Sequence, residues 1–589
     1  MPYSASRRSF LIQSTASAGA VAAGIPAWAG PANPAGLKLL TSIDGVFIPP
    51  KGDARMKFSF PWPEPSVAFA GLLFAFEIIT FENSYALDPA LVTVDAGGDL
   101  LTLSARGFTW AGGQQKAAGG LQATIRRAAD GALRWEVEAR FAKPIKAIKT
   151  IVRGLPRGRL SKSAGQWEDP QDEERCYSYP DLMGGMGTPL VAVEDKDGKV
   201  WAVSAEQTEV RPARFYFAPG PDAYKLELLY EQAGWRRSGT VRTHSWRIGQ
   251  GADFAAAAAP HFEHVKRAYG LPAFQQRPDA PAWMKQTSLV LALHGQHWSG
   301  HIFNDYARQL EILKWASQRT DPRRTLVFLA GWDARYYWDY PRFDVDQRMG
   351  GEAAFRRLIA EGHAMGYRFL LMFGSNIANP AAPGFAKLAN ARVRTVYGEP
   401  MASDYVDWDG DRKGDASMVF MNLAVRSWRT HLADRITDMV RRYNIDAYFL
   451  DICGLWENNP DGDMFVGLKM LVERLARNLP GVPAVGEMLY DAQLGIIPMA
   501  HVSRYPLYPK AQFDHVAVFR HLSHPAPGGS TGVHEQGYLP YKPAAIDDRV
   551  IPTITFVGDT LERHAALVEA DIETANRRYK RVISPDASQ

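Results

Sequence analysis

The 589-residue chain reads as a multidomain β plus α/β protein: an N-terminal antiparallel β-sandwich followed by a (β/α)8 TIM-like barrel. Three observations predict this. Residues 31 to about 250 carry more than ten short strand-like runs with no helix between them, the pattern of a sandwich. From Thr287 onward buried strands and amphipathic helices alternate, the pattern of a barrel. The length also exceeds what a single hydrophobic core sustains.

In chain order, Ser6-Arg7-Arg8-Ser9-Phe10-Leu11 resembles a twin-arginine export signal, and Ala27-Trp28-Ala29 offers a small-x-small cleavage site. Residues 1–29 are therefore expected to be a signal peptide and the mature protein periplasmic or extracellular. The sandwich is placed at 30–275. Within it, Leu121–Arg127 and Leu133–Phe141 flank Asp130-Gly131, and Leu190–Val193 and Val200–Ser204 flank Asp197-Gly198, both hairpin signals. Ala252–Tyr269 reads as a helix ending at Gly270, and the Pro-rich Gln275–Pro281 marks the boundary. The barrel is placed at 283–560. Its candidate strands are Ser288–Leu293, Thr325–Ala330, Tyr367–Phe373, Ala447–Leu450, Val482–Val485, Ala500–Ser503 and Val550–Phe556, with an eighth near His515–Phe519. Candidate helices are Asn304–Ala316, Glu352–Met365, Ala424–Tyr443 and Asp463–Asn478. A doubly wound sheet is the structural alternative. Residues 561–589 form a C-terminal helix and tail.

Composition narrows the function classes. A net charge of +4 leaves no basic excess for nucleic acid or for an anionic membrane. No later run is long enough to insert in a membrane. Two cysteines, Cys176 and Cys453, exclude a disulfide framework, and Cys453 is expected to pack beside the site described next. The aromatic share of 11% suits an oligo- or polysaccharide partner as well as a large core.

The chemistry is centred on residues 443–490. Two apolar runs each end in a carboxylate, Asp451 after Ala447–Leu450 and Glu487 after Val482–Val485, with a helix between them. A βαβ unit makes the strands parallel neighbours, so both acids emerge on the rim where barrels place their active sites. Asp451, short and fixed, suits attack on an anomeric carbon. Glu487, one methylene longer, suits protonation of a leaving oxygen, held neutral by apolar neighbours and the Asp451 charge. A separation of about 5–5.5 Å would mean retention, and about 6.5–9.5 Å inversion.

The stretch MNLAVRSWRTHLADRITDMVRRYNIDAYFLDICG resembles retaining glycoside hydrolases with a (β/α)8 barrel. The order of sandwich then barrel is similar to the α-galactosidase and α-glucosidase clan and to endo-α-N-acetylgalactosaminidases. Asp at the fourth strand end and Glu at the fifth resemble the α-amylase superfamily and the endo-α-N-acetylgalactosaminidases. That resemblance implies Asp451 as nucleophile and Glu487 as acid/base. The α-galactosidase clan carries its acid as Asp on a later strand, and the α-amylase families carry Arg where this chain has Phe449.

Other strand ends supply candidate substrate-binding groups: His294, Trp332, Asp333, Asn376, Trp456 and Arg504. Each has a plainer reading, a turn-forming Asp or a packed aromatic. Tyr336, Tyr337 and Trp338 are read as packing, and His501, Tyr505, His521 and His524 as a further polar group. Asp407, Asp409, Asp411 and Asp415 suggest a calcium loop but fit a solvated hairpin better. His294 and His297 lack the spacing of an amidohydrolase pair. The expectation is a retaining hydrolase of an α-linked sugar with no metal or cofactor. The alternatives are a metal-dependent barrel hydrolase and a non-catalytic carbohydrate-binding protein.

Overall fold

The computed structural model describes residues 36–42, 62–163, 165–181, 186–297, 299–334, 338–406, 409–411, 416–502, 510–521 and 548–583. The expected leader at 1–29 lies outside them. Among the described residues, seventeen strands between Leu37 and Gly251 are hydrogen-bonded into one antiparallel network. Both Asp-Gly hairpins are present, closing at Arg127↔Leu133 and at Glu194↔Val200, and Gly131 and Gly198 each take φ 77°. Only a residue tolerant of positive φ fits those turns. The antiparallel region expected from the sequence is present, its strands joined by pairing into one continuous network. Its long strands carry bulges at Ile79/Thr80, Ala105/Gly107 and Tyr224/Lys225, where a strand bends without giving up its pairing.

Helix α1, Phe254–Ala268, starts where the Asp253 side chain accepts from Ala256 N at 2.8 Å. Its small face, Ala257 and Ala258, packs on Leu190, Ala192, Val200 and Ala202 of the β region. The chain then enters a closed parallel barrel: β1 Leu289–His294, β2 Thr325–Ala330, β3 Arg368–Gly374, β4 Ala447–Asp451, β5 Ala484–Glu487, β6 Met499–His501, β7 Ala517–His521 and β8 Val550–Phe556. β8 pairs back onto β1.

Phe328 on β2, Phe449 on β4 and Phe519 on β7 meet at 4.7–6.5 Å although their strands are not neighbours, so they fill the interior. Val290, Ala292, Met372, Val485 and Met499 belong to the same buried cluster. Side chains alternate along a strand, so this inward set continues to His294, Asp451, Glu487 and His501 at the carboxyl ends. The core thus decides which residues reach the mouth.

Helices α2 Tyr306–Ser317, α3 Gly351–Met365, α4 Arg426–Tyr443 and α5 Met464–Asn478 follow β1 to β4, and α6 Thr560–Arg578 follows β8. The strict eightfold alternation is not kept. β5 reaches β6 through a 3-10 turn, Asp491–Gly495, and another, Lys510–Asp514, precedes β7. The β region occupies that flank: Thr188 Oγ1 donates to Asp491 Oδ2 at 3.0 Å and Tyr179 Oη donates to Oδ1. The long connection after β3 folds into a small sheet of Ile377–Ala378, Ala402–Val406 and Ala416–Phe420. That is the hairpin read around Asp409 and Asp411; Asp407 and Asp415 lie outside the described residues.

Candidate active site

Register pairs Leu450 with Gly486, which sets Asp451 and Glu487 side by side at the ends of β4 and β5. Both are buried, and the Asp451 side chain is among the groups that lower the Glu487 pKa. Ile452 N donates to Glu487 Oε2 at 3.0 Å, and His501 Nδ1 stands 3.6 Å from Oε1. The expectation that Glu487 is held neutral is overturned. Burial alone would raise its pKa, but the His501 hydrogen bond and charge, the Asp451 hydrogen bond and the Ile452 N–H together bring it below the usual carboxylate range.

The backbone beneath is stitched tightly. Glu487 N donates to Cys453 Sγ at 3.2 Å, and Cys453 Sγ and Gly454 N reach Glu487 O at 3.3 and 3.1 Å. A Cβ on Gly454 would fall 1.8 Å from Met488 O, so only glycine allows the two strand ends to lie this close. Neither Cys453 nor Cys176 is in a disulfide, and burial pushes the Cys453 thiol up to about 12. Cys453 is therefore structural mortar, as the sequence suggested, and no bridge joins the two regions.

Three rim residues directly follow a carboxylate and take left-handed backbone conformations: Ala334 (φ 92°) after Asp333, Ile452 (φ 56°) after Asp451 and Met488 (φ 55°) after Glu487. For a β-branched Ile this costs about 1–3 kcal/mol and persists only where the surroundings impose it. At Ile452 the turn aims the N–H at Glu487.

The ends of β1 to β3 are different. Asp333 is buried, and neither oxygen has a hydrogen-bond partner among the described residues beyond a loose approach of its own amide. Burial, reinforced by Asp339, raises its pKa well above the ordinary value. Gln296, fully buried after β1, has neither amide atom bonded within the described residues. Asn376 donates through Nδ2 to Ile452 O at 2.8 Å, while its buried Oδ1 finds no such partner. His294 ends β1, buried, with its ring 5.1 Å from Phe303.

Two of the expected sugar platforms are packing residues. Trp332 is fully buried, donates from Nε1 to Met372 O at 2.8 Å and stacks at 5.7 Å on Phe355 of α3. Gly331, at φ 62°, turns the chain so that Trp332 leaves the inward set. Trp456 directs Nε1 to Asp463 Oδ1 at 3.2 Å, bracing the N-cap of α5. Arg504, Tyr336, Tyr337, Tyr505 and His524 lie outside the described residues, as does the side chain of His521. Of the candidates, Asp451, Glu487, His294, Asp333 and Asn376 gather at the mouth. Sequence reading gave His501 no role of its own, although it ends its strand as the two acids end theirs. It missed Gln296 outright.

The β region reaches this rim. Asn458, on the loop after β4, donates from Nδ2 to Glu231 Oε1 at 2.7 Å and Gln232 O at 2.8 Å, and its Oδ1 accepts from Gly234 N at 2.8 Å. Among the described residues no group of three or more His, Cys, Asp or Glu is placed to hold a metal ion.

No family model matches the sequence, and no curated protein does. Among solved structures the chain is similar to the α-N-acetylgalactosaminidase NagBb from Bifidobacterium bifidum. Against its GalNAc complex the identity is 14% and the TM-score 0.63, over 88% of this chain and 91% of that one. Against the ligand-free form the TM-score is 0.62, over 88% and 90%. The α-galactosidase AgaA from Geobacillus stearothermophilus matches with 10% identity and a TM-score of 0.48, over 86% and 76%. At this identity the likeness to NagBb is one of fold, a β region followed by a parallel barrel across nearly the whole of both chains. The resemblance read around residues 421–454 holds at that level.

Proposed function

We propose that the chain is a retaining glycoside hydrolase for an α-linked sugar, exported by the twin-arginine route. The observation that carries the reading is the placement of Asp451 and Glu487 side by side on neighbouring strand ends of a barrel mouth, each acid followed by a strained residue. Acids on adjacent strand ends suit the carboxyl spacing of about 5–5.5 Å used in double displacement better than the wider gap of inversion. The fold it shares with NagBb, an α-N-acetylgalactosaminidase solved with GalNAc, makes a terminal α-N-acetylgalactosaminide or α-galactoside the first substrate to try.

In this mechanism the sugar enters the mouth against the two carboxyls. Positive charge growing on the anomeric carbon favours ionised Asp451, and displacing water from around Glu487 favours its protonated form, so Glu487 holds the proton when the sugar is bound. Asp451 attacks the anomeric carbon, the C–O bond to the leaving group breaks, and Glu487 protonates the departing oxygen. Water then attacks the glycosyl ester while Glu487 recovers the proton, freeing Asp451. His501 and Ile452 N–H steady Glu487 in its charged turn.

The test is hydrolysis of nitrophenyl α-N-acetylgalactosaminide and α-galactoside, with the first-formed anomer read by NMR. Retention, lost in D451N and E487Q, is expected. Turnover surviving in both variants would remove the mechanism. Sugar binding without turnover by the unmodified protein would favour a carbohydrate-binding role.

A further inference from the structure

Tyr340 is fully buried, and its place is set by the β3 end. A Cβ on Gly374 would lie 2.3 Å from Tyr340 Cε2 and 2.4 Å from Cδ2, so the phenol ring rests directly on that glycine's backbone. Gly374 is in turn the strand partner of Asp451 in the β3–β4 register. The ring is held from behind by Phe343 at 4.7 Å, and Asn379 N donates to Tyr340 O at 3.0 Å. The ring therefore lies over the residue beside Asp451.

Asp333 and Asp451 are both near enough to act on the phenol. They belong to opposite halves of the mouth, one on the side with unbonded polar groups and one on the reacting side. A pyranose whose anomeric carbon meets Asp451 and whose hydroxyls meet Asp333 must run between them, past Tyr340. We infer that Tyr340 contacts the substrate, its hydroxyl donating a hydrogen bond to a sugar oxygen lying between Asp333 and Asp451. Burial, followed by the two carboxylates, raises the phenol's pKa well above its ordinary value, so it remains a donor at any working pH.

This inference rests on the glycosidase reading, and the experiment separates the two. Y340F keeps the ring on Gly374 and removes only the hydroxyl. The expected result is a drop of about 10- to 30-fold in kcat/KM on the nitrophenyl glycoside that the unmodified enzyme cleaves, with Tm unchanged. Against a series of mono-deoxygenated substrates, the penalty should vanish for the one lacking the oxygen that Tyr340 holds. Equal kcat/KM for Y340F and the unmodified enzyme overturns the Tyr340 contact and leaves the glycosidase reading standing. A penalty equal across every deoxy substrate, with lowered Tm, also overturns it and assigns Tyr340 to packing. If the unmodified protein neither cleaves nor, by calorimetry, binds any sugar of the series, both readings fall together.

Discussion

At the ends of β4, β5 and β6 the polar groups hold one another: Ile452 N donates to Glu487, His501 pairs with it at 3.6 Å, and Cys453 bonds to the Glu487 backbone. At the ends of β1, β2 and β3 the amide of Gln296, the carboxyl of Asp333 and Oδ1 of Asn376 are equally buried yet have no such partners among the described residues. One rim of one barrel treats its two arcs in opposite ways. Each unsatisfied buried polar atom costs about 1–3 kcal/mol, so five of them on three side chains at adjacent strand ends point to a ligand that completes them. The bonded arc is built for charge to move within it, and rigid hydrogen bonds keep it in place while that happens.

The comparison breaks most readily at the bonded arc. Replacing Asp451 by Asn or Glu487 by Gln should lower kcat by about 10²–10⁴-fold, with KM little altered and the glycoside still bound. A large rise in KM with kcat preserved would make both arcs recognition surfaces. D333N attacks the other arc. It should raise KM about 10- to 100-fold, and it should also raise Tm. Asp333 has a folded pKa far above its unfolded value, so its presence destabilises the fold increasingly as pH rises through that window; an amide removes the liability. Weaker binding in a more stable protein is the signature of a group waiting for a ligand, and a fall in Tm would instead show that Asp333 is structural.

The two arcs also differ in how far the amino-acid sequence discloses them. Asp451 and Glu487 close short apolar runs, and the period-two core carries them inward with Phe449 and Val485, so pattern alone finds them. The barrel was legible for the same reason, as were the Asp-Gly hairpins. Three features were not. Strand β6 is three residues long, too short for a periodic signal, and His501 at its end therefore went without a role. The continuous pairing of the β region depends on bulges and long-range register, which no local window records. The charge on Glu487 depends on a histidine fourteen residues away in sequence and 3.6 Å away in space.

Trp332 shows the limit of reading side-chain type. It neighbours Asp333 and looks like a stacking platform, but the φ of Gly331 decides which of the two leaves the mouth. W332F should therefore cost about 1–3 kcal/mol in urea unfolding, from the lost bond to Met372 O and the lost stacking area, and leave KM unchanged. A KM effect larger than the stability effect would return Trp332 to the recognition arc.

Glu457 is the exception on the bonded side and supplies the finest test. It follows β4 on the loop that Asn458 fastens to the β region, partly buried near Glu231. Burial, then the Glu231 charge, pushes its pKa up to about 7, with Arg214 opposing. Glu231 itself is kept low despite its burial, because Arg214 Nη1 lies 2.6 Å from its Oε2, the Lys146 charge is near and Asn458 donates to it. One guanidinium thus serves one carboxylate and leaves the second wanting a proton. With an unfolded value of about 4.5, Glu457 binds more protons folded than unfolded between about pH 4.5 and 7, so stability falls as pH rises across that window and levels off above it. Gln imitates the protonated acid. E457Q should match the unmodified protein at about pH 4.5 and melt about 1–3 °C higher at pH 8, with kcat unaffected. Equal melting at pH 8 would mean that Arg214 neutralises both acids, and the bonded arc would then extend without a break onto the β region.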